Sequence, residues 1–211
     1  FRSEEKERAV KLKICGLSRH QDIEAVNLWK PDYIGFVFAK SRRQVTREQA
    51  GEFKKALHPG IAAVGVFVDQ EPDLMIELLK DGIIDIAQLH GQETEETVRR
   101  IKEKAGKPVI KAVSVKDSTD VQAFAESSAD YLLFDNGAGG TGERFDWSLL
   151  KEINKPWFLA GGIGLHNIKE ALGRYPWAVD LSSGVETDGR KDAAKIEQIV
   201  KEVRRFNGQE G

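Results

Sequence analysis

The chain has 211 residues, of which 40% are hydrophobic and 31% charged, and its formal net charge is −2. This composition is typical of a globular protein and excludes fibrous, collagen-like and disordered chains. Lys and Arg (32) nearly balance Asp and Glu (34), so we expect neither nucleic acid nor a membrane surface as a partner. The single cysteine, Cys15, excludes an internal disulfide and favours the cytoplasm, a reducing compartment.

Extended and helix-like segments alternate along the chain. Runs of β-branched and aromatic residues recur at near-constant intervals: Lys11–Cys15, Tyr33–Phe38, Ile61–Val68, Ile83–Leu89, Val109–Val115, Tyr131–Asp135, Trp157–Ala160 and Ala178–Ser182. Helix-start signals lie between them, as in Thr46-Arg-Glu-Gln49 and Asp146-Trp147-Ser148. Eight such units predict an α/β fold, a closed (βα)8 TIM barrel of eight parallel strands with surrounding helices. A doubly wound sheet, the alternative, would leave two or three units unused.

Nothing in the composition marks an internal domain boundary. We therefore expect one barrel domain over residues 11–206 and a short tail over 207–211. Residues 1–10 are charged and begin with Phe1. They are interpreted as an N-terminal extension, and three origins stay open: residues added to the protein, a processed end, or the remainder of a longer fused polypeptide.

Several predicted strands end in polar residues that share one face by period-two alternation. Lys13 and Cys15 lie on one face of the first strand, and the fourth, sixth and eighth strands contribute Gln88 and His90, Asp135, and Asp180 and Ser182. The active sites of such barrels lie at the C-terminal strand ends. We therefore expect a thiol, an imidazole, a lysine and carboxylates to converge there.

Two glycine-rich segments follow the last two predicted strands. Gly161-Gly162-Ile163-Gly164 closes the seventh, and Ser183-Gly184 closes the eighth. Glycines let backbone N–H groups approach an anion, a following helix N-terminus favours negative charge, and these loops are the usual phosphate site of such barrels. A phosphorylated small molecule is the favoured ligand, although glycines at these positions could merely form tight turns.

A third glycine-rich segment, residues 137–142, matches the dinucleotide pattern G-x-G-x-x-G. A dinucleotide site also needs a helix that opens within the motif and an acidic residue at the end of the next strand, and this sequence has neither at those positions. The segment, with Gly139, Gly140 and Gly142, is better interpreted as a mobile loop that closes over a ligand.

Each candidate also has a structural interpretation that needs no ligand. Cys15 could be a small buried hydrophobe, Asp135 a turn residue, and Arg42 and Arg43 a solvated loop pair. His90 could be an oriented core histidine. The remaining histidines look like loop or helix-edge residues, so no zinc site is expected: His20, His58 and His166.

The same residues carry a resemblance to the phosphoribosylanthranilate isomerase family of tryptophan biosynthesis. The segments run in order over nearly the whole chain: Lys13-Ile-Cys-Gly-Leu17, Tyr33-Ile-Gly-Phe-Val-Phe38, Val64-Gly-Val-Phe-Val68, Gln88-Leu-His-Gly91, Leu133-Phe-Asp135, Gly139-Gly-Thr-Gly142, Leu159-Ala-Gly-Gly162 and Val179-Asp-Leu-Ser-Ser-Gly-Val-Glu186. The Cys-Gly pair of the first strand together with Ser-Ser-Gly-Val-Glu of the last is the most specific part.

The resemblance implies an Amadori rearrangement of N-(5-phosphoribosyl)anthranilate without cofactor or metal. It assigns Asp135 as the general acid and Cys15 as the general base. The pKa of the carboxyl would then have to be raised and that of the thiol lowered. We expect enclosure to act on Asp135 and the inward Lys13 to stabilise the Cys15 thiolate.

The resemblance also implies the substrate-binding residues. Arg43 would bind the anthranilate carboxylate, but the family's Ser-Pro-Arg is Ser41-Arg42-Arg43 here, so Arg42 stays open as an alternative. The other expected contacts are Gln88, His90 and Asp180 for the substrate and Gly161, Gly162, Ser183 and Gly184 for its phosphate.

Three other functions compete with this interpretation. Indole-glycerol-phosphate synthase would need lysine and glutamate pairs at several strand ends, and a dual-substrate histidine/tryptophan isomerase would need an aspartate at Cys15. A non-catalytic phosphate-binding domain would need no paired acid and base. We expect a monomer or homodimer, and leave open fusion to, or association with, another tryptophan-pathway enzyme.

Overall fold

The computed structural model describes residues 9–137 and 145–209. Eight parallel strands form a closed barrel in which each strand pairs with the next and β8 pairs with β1. The predicted TIM barrel is confirmed. The strands are β1 (Lys11–Cys15), β2 (Tyr33–Val37), β3 (Ala62–Phe67), β4 (Ile86–Leu89), β5 (Val109–Ser114), β6 (Tyr131–Asp135), β7 (Trp157–Leu159) and β8 (Ala178–Leu181).

Helices surround the barrel and connect its strands. They are α1 (His20–Trp29), α2 (Arg47–Ala56), α3 (Pro72–Lys80), α4 (Glu95–Ala105), α5 (Ser118–Ala123), α6 (Ile168–Leu172) and α7 (Ala193–Phe206). Local sequence sets several of their starts: Thr46 and Gln49 form a reciprocal capping box on α2, and the Asp192 carboxylate accepts from two N–H groups of α7. None of the described helices is both long and apolar enough to cross a bilayer.

The prediction of a full helix after β6 is wrong for the described part of that connection, residues 145–156. There Asp146 caps only a 3-10 turn, Trp147–Leu149, by accepting from the Ser148 N–H. Glu152 then adopts a left-handed conformation, with φ 56°, and Pro156 precedes β7, so little length remains for a helix. The predicted mobile-loop glycines, Gly139, Gly140 and Gly142, lie outside the described residues.

The barrel interior is packed with side chains and changes from apolar to polar along its axis. Tyr33, Ile110, Leu133 and Phe158 belong to its buried apolar cluster. On β1, the inward-facing Lys13, which pairs with Tyr33 of β2, is completely buried. Because side chains alternate between the two faces of a strand, the last inward-facing residues of the strands lie together at the C-terminal end of the barrel.

A short hairpin follows β8 and forms part of that end. After a 3-10 turn, Ser183–Val185, strand β9 (Glu186–Thr187) pairs antiparallel with β10 (Arg190–Lys191). Its turn places Asp188 and Gly189 at φ 50° and 74°. Two successive positive φ values are characteristic of an Asp-Gly hairpin turn with two residues in the loop. The hairpin thereby directs Glu186 and Lys191 back toward the barrel.

Candidate active site

A cavity of about 270 Å³ opens at the C-terminal ends of the strands. The structure brings most of the sequence-predicted residues together in its wall. Those that line it are Cys15, Arg43, Gln88, His90, Asp135, Gly161, Gly162, Asp180 and Ser183. Gly184 lies directly behind the wall, where a Cβ would come within 1.9 Å of the Ile163 carbonyl oxygen.

Cys15 ends β1 and its thiol occupies space left by a glycine on the neighbouring strand. Gly35 of β2 pairs with Cys15, and a Cβ on Gly35 would lie 2.5 Å from the sulfur. Sequence analysis did not identify this requirement, because Gly35 lies inside an ordinary strand pattern.

Burial raises the pKa of the Cys15 thiol, and the charges of Lys13 and Lys191 only partly oppose the rise. The expected net lowering of this pKa is therefore not found in the ligand-free protein. The main reason is the burial itself, and the charge of the Asp180 carboxylate, which also raises the thiol pKa, opposes part of the effect of Lys13. In this state Cys15 is a protonated thiol at neutral pH.

Lys13 and Asp180 form a buried ion pair beneath the cavity. Lys13 Nζ donates to Asp180 Oδ2 at 2.7 Å, with the two side chains 0% and 8% exposed. Burial lowers the pKa of Lys13, but Asp180 and the Cys15 sulfur outweigh it and raise the pKa overall. Asp180 Oδ1 is buried and has no hydrogen-bond partner among the described residues. Since Asp180 lines the cavity, a ligand donor can satisfy this oxygen.

A hydrogen-bonded chain joins three of the predicted residues. Gln88 Nε2 lies 2.8 Å from His90 Nδ1, and His90 Nε2 lies 2.7 Å from Asp135 Oδ2. With the Gln88 amide donating, Nδ1 of His90 is the acceptor and the ring proton on Nε2 donates to Asp135. The Gly137 N–H donates to the other carboxylate oxygen at 2.9 Å. His90 is thus bound to the predicted acid, a contact that the sequence did not indicate.

Arg43 and Arg42 both bind Glu186 of the hairpin, but they face different ways. Arg43 donates from Nε to Oε1 at 2.7 Å and from Nη2 to Oε2 at 2.9 Å. Arg42 donates from Nη2 to Oε2 at 2.8 Å, and its side chain is 56% exposed. Arg43 lines both the cavity and a slightly smaller pocket beside it, whereas Arg42 lines only the smaller pocket. Sequence analysis included Glu186 in the family motif without giving it a role.

The glycine loops after β7 and β8 approach each other closely and present free backbone donors. Gly161 and Gly162 adopt φ values of 84° and 68°, and neither N–H donates to any part of the chain that the structure describes. Asn167 holds the loop by accepting from the Gly164 N–H and donating to the Gly162 carbonyl, both at 2.9 Å. Helix α6 begins at Ile168, with Asn167 as its N-cap residue, so a helix follows the glycine segment near Asn167, as expected.

Comparison with known proteins identifies the relatives of this fold and site. The family model described as N-(5'phosphoribosyl)anthranilate (PRA) isomerase matches residues 12–202. The chain belongs to this family. Its activity is therefore isomerisation of N-(5'-phosphoribosyl)anthranilate, a step of tryptophan biosynthesis.

Individual relatives agree in sequence and structure. The N-(5'-phosphoribosyl)anthranilate isomerase of Endomicrobium trichonymphae is 48% identical over 92% of this chain and 98% of its own length. That of Clostridium acetobutylicum is 44% identical over 93% and 99%. The Thermus thermophilus phosphoribosyl anthranilate isomerase superposes with a TM-score of 0.86 at 33% identity, covering 93% of this chain and 100% of that one.

A second structural relative carries a ligand. It is a phosphoribosyl anthranilate isomerase in complex with reduced 1-(o-carboxyphenylamino)-1-deoxyribulose 5-phosphate. Its TM-score is 0.82 at 33% identity, and the match covers 93% of this chain and 99% of that one.

Proposed function

We propose that Asp135 and Cys15 carry out the isomerisation as general acid and general base. The reaction is an Amadori rearrangement that oxidises the sugar at C2 and reduces it at C1, which is intramolecular oxidoreduction of the aldose–ketose type. It needs two proton-transfer groups acting on different atoms of one substrate. The assignment is supported chiefly by one observation: a carboxyl at the end of β6 and a thiol at the end of β1 line the same cavity.

Asp135 acts first, at the furanose ring oxygen. It donates its proton to this oxygen as the C1–O bond breaks, and the nitrogen lone pair forms a cationic Schiff base at C1. The carboxylate that remains accepts hydrogen bonds from His90 Nε2 and the Gly137 N–H. These two donors stabilise the charge that develops on Asp135 as the ring opens.

Cys15 acts second, at C2. The cationic Schiff base beside the thiol favours the thiolate, which offsets the effect of burial on the pKa of Cys15. The thiolate removes the C2 proton, the C–H electrons form the C1–C2 double bond, and the nitrogen becomes neutral. The resulting enolamine takes up a proton at C1 from the Cys15 thiol, while its C2 hydroxyl gives up a proton to the Asp135 carboxylate. These transfers give the ketone, 1-(2-carboxyphenylamino)-1-deoxyribulose 5-phosphate, and restore both groups.

Two buried acceptors favour binding of the sugar between these groups. Asp180 Oδ1 and Gln88 Oε1 have no hydrogen-bond partner within the described residues. An unsatisfied buried acceptor is costly, so both gain from a substrate N–H or O–H donor. We assign Asp180 to the substrate amine or ribose and Gln88, with His90, to the ribose side of the cavity.

The two ends of the substrate carry negative charge, and the cavity suits each of them. The N–H groups of Gly161 and Gly162, which have no acceptor among the described residues, suit the phosphate together with Ser183 and Gly184. Arg43 suits the anthranilate carboxylate, and the aromatic ring can pack on the apolar side chains nearby. Arg42 is the weaker candidate because it does not line the cavity. The apolar lining residues on the β2 and β3 side are Val37, Val66 and Val68.

A fluorescence assay tests the assignment of Cys15. Phosphoribosylanthranilate is generated in place and its loss of fluorescence is followed with the wild type and with Cys15→Ala. We expect conversion only by the wild type, with both proteins binding the reduced product analogue. Conversion by Cys15→Ala at a near-normal rate would exclude Cys15 as the base. No conversion by folded wild type would leave a phosphosugar-binding domain as the alternative.

We also propose that residues 11–206 act as one catalytic domain in the cytoplasm, where a catalytic thiol stays reduced. A crystal structure of monomers generated from a dimeric phosphoribosylanthranilate isomerase of Thermotoga maritima supports a homodimer as one candidate state, besides the monomer. Light scattering during size-exclusion chromatography distinguishes the two masses.

A further inference from the structure

Glu186 is the buried centre of a charge cluster that the reaction does not use directly. Its side chain is 5% exposed and accepts from Arg43 at 2.7 and 2.9 Å, from Arg42 at 2.8 Å and from Lys191 Nζ at 2.7 Å. Arg42, Arg43, Glu186 and Lys191 are here called the Glu186 cluster. Three cations surround one carboxylate, so the cluster has an uncompensated positive charge. A second carboxylate beside it would be stabilised.

Arg43 is the member of the Glu186 cluster that brings this positive charge to the wall of the cavity. Its Nε and Nη2 atoms are bound to Glu186, which leaves the Nη1 edge of the planar guanidinium without a partner among the described residues. The stem of Arg43 crosses Gly16, where a Cβ would lie 2.4 Å from Arg43 Cδ. With its stem packed and one edge bound, the guanidinium has a fixed orientation. A fixed donor pair binds a carboxylate with a smaller loss of side-chain entropy.

Arg42 connects the substrate-binding loop to the hairpin through the same carboxylate. It stands where the resembling family motif has proline, and a proline would restrict this loop through its fixed φ. Arg42 instead reaches Glu186, and its Nη1 would lie 2.7 Å from a Cβ on Gly189 in the hairpin turn. Lys191 ties Glu186 to the end of β8 by donating to the Ser182 carbonyl at 3.0 Å.

We propose that Glu186 is a positioning residue that orients Arg43 toward the anthranilate carboxylate, and that Arg42 restrains this loop through Glu186 in place of the proline. The inference rests on the proposed role of Arg43 in substrate binding. It makes the Glu186 cluster a determinant of specificity for substrates that carry an ortho carboxylate. The phosphate and the sugar are held elsewhere, so their binding does not depend on it.

Calorimetry with two probes tests this inference. The first probe is reduced 1-(o-carboxyphenylamino)-1-deoxyribulose 5-phosphate, and the second is the corresponding phenylamino compound without the carboxylate. In Glu186→Gln we expect affinity for the first to fall about 10- to 100-fold, as for loss of a charged hydrogen-bond partner. Affinity for the second should stay within about twofold.

Further variants separate the inference from the proposed function. Arg43→Ala should remove the preference for the carboxylate, and adding Glu186→Gln to it should cause no further loss. Arg42→Ala should lower the affinity for the first probe less than Glu186→Gln does. Arg42→Pro should recover much of the affinity that Arg42→Ala loses. Arg47→Ala, which removes an exposed arginine paired with Glu77 on the outer helices, is the matched control and should change neither affinity.

Each contrary result has a distinct meaning. If Arg43→Ala keeps the full preference for the carboxylate, the proposed role of Arg43 fails. If Arg43→Ala loses the preference but Glu186→Gln keeps it, only the positioning role of Glu186 is overturned. An equal loss of affinity for both probes in Glu186→Gln would show that Glu186 has only a structural role, and it would also overturn the inference. In turnover, the inference requires Glu186→Gln to raise KM with little change in kcat.

Discussion

His90 Nε2 lies 2.7 Å from Asp135 Oδ2, so the imidazole that follows β4 is bonded to the carboxyl at the end of β6. The contact spans the single intervening strand, β5, and brings together groups 45 residues apart in the chain. In the proposed mechanism this carboxyl loses its proton when the sugar ring opens. A donor from His90 would then stabilise the conjugate base of Asp135.

Replacement of His90 should slow the reaction without weakening binding to the same degree. We expect His90→Asn to lower kcat about 10- to 100-fold, the range for loss of one donor at a developing charge. The KM should change much less. His58→Asn is the control, because His58 only accepts from the nearby Gly60 N–H at an exposed site. Steady-state kinetics that show equal losses in both variants would contradict the role of His90.

The space beside the thiol can be tested with two glycine replacements. A Cβ at Gly35 would lie 2.5 Å from Cys15 Sγ, whereas one at Gly51 in α2 would meet only a side-chain carbon of Ile83 at 4.0 Å. We expect Gly35→Ala to displace the sulfur and lower kcat about 10-fold or more, since catalysis is sensitive to misplacement on the order of 1 Å. Gly51→Ala should keep full activity and gain about 0.4–1 kcal/mol of stability. Normal turnover by Gly35→Ala would show that the Cys15 thiol does not require a glycine at position 35.

The titration of Cys15 can be followed by alkylation because it is the only cysteine in the chain. Burial raises its pKa above the ordinary value of 9.0, so the rate of reaction with iodoacetamide should keep rising with pH beyond 9.0. Lys191 lowers the thiol pKa in part, so Lys191→Gln should move the midpoint upward. Lys13→Met removes the larger of the two effects. A midpoint unchanged in both variants would show that neither ammonium acts on the thiol.

Because of the Glu186 cluster, the free energy of unfolding should depend on pH in the acid range. Burial raises the pKa of Glu186, but hydrogen bonds and charges from Arg43 and Lys191 outweigh it and lower the pKa from 4.5 to about 2. Between these pH values the unfolded chain binds the extra proton, so the stabilisation is complete above pH 4.5 and is lost as pH falls toward 2. Urea unfolding should show a steeper acid loss for the wild type than for Glu186→Gln. Parallel profiles would contradict the assignment.

The barrel and much of the site could be predicted because they follow from local, repeated patterns. Period-two alternation predicted that Lys13 and Cys15 share a face, and the structure places both on the inner face of β1. The loop glycines Gly161 and Gly162 were predicted from the position that they occupy after a strand. The prediction of a helix after β6 was wrong for the described residues, because a capping residue indicates where a turn starts and not how far it continues.

The interactions that sequence analysis missed depend on contacts between distant segments. Arg43 and Glu186 are 143 residues apart, and neither local pattern shows that the two side chains meet. The same is true of the net pKa of Cys15. Lys13 was correctly placed beside the thiol, but burial outweighs the effect of its charge on the thiol pKa, and Asp180 on β8 opposes that effect further.

The central claim is that Asp135 and Cys15 divide the proton transfers between them, and turnover of Asp135→Asn tests it most directly. This variant keeps the shape of the side chain but cannot donate a carboxyl proton to the ring oxygen. The account predicts a loss of turnover of about 100-fold or more, with the affinity for the reduced product analogue kept within about threefold. Near-normal turnover by Asp135→Asn would contradict it and would require another group to open the ring.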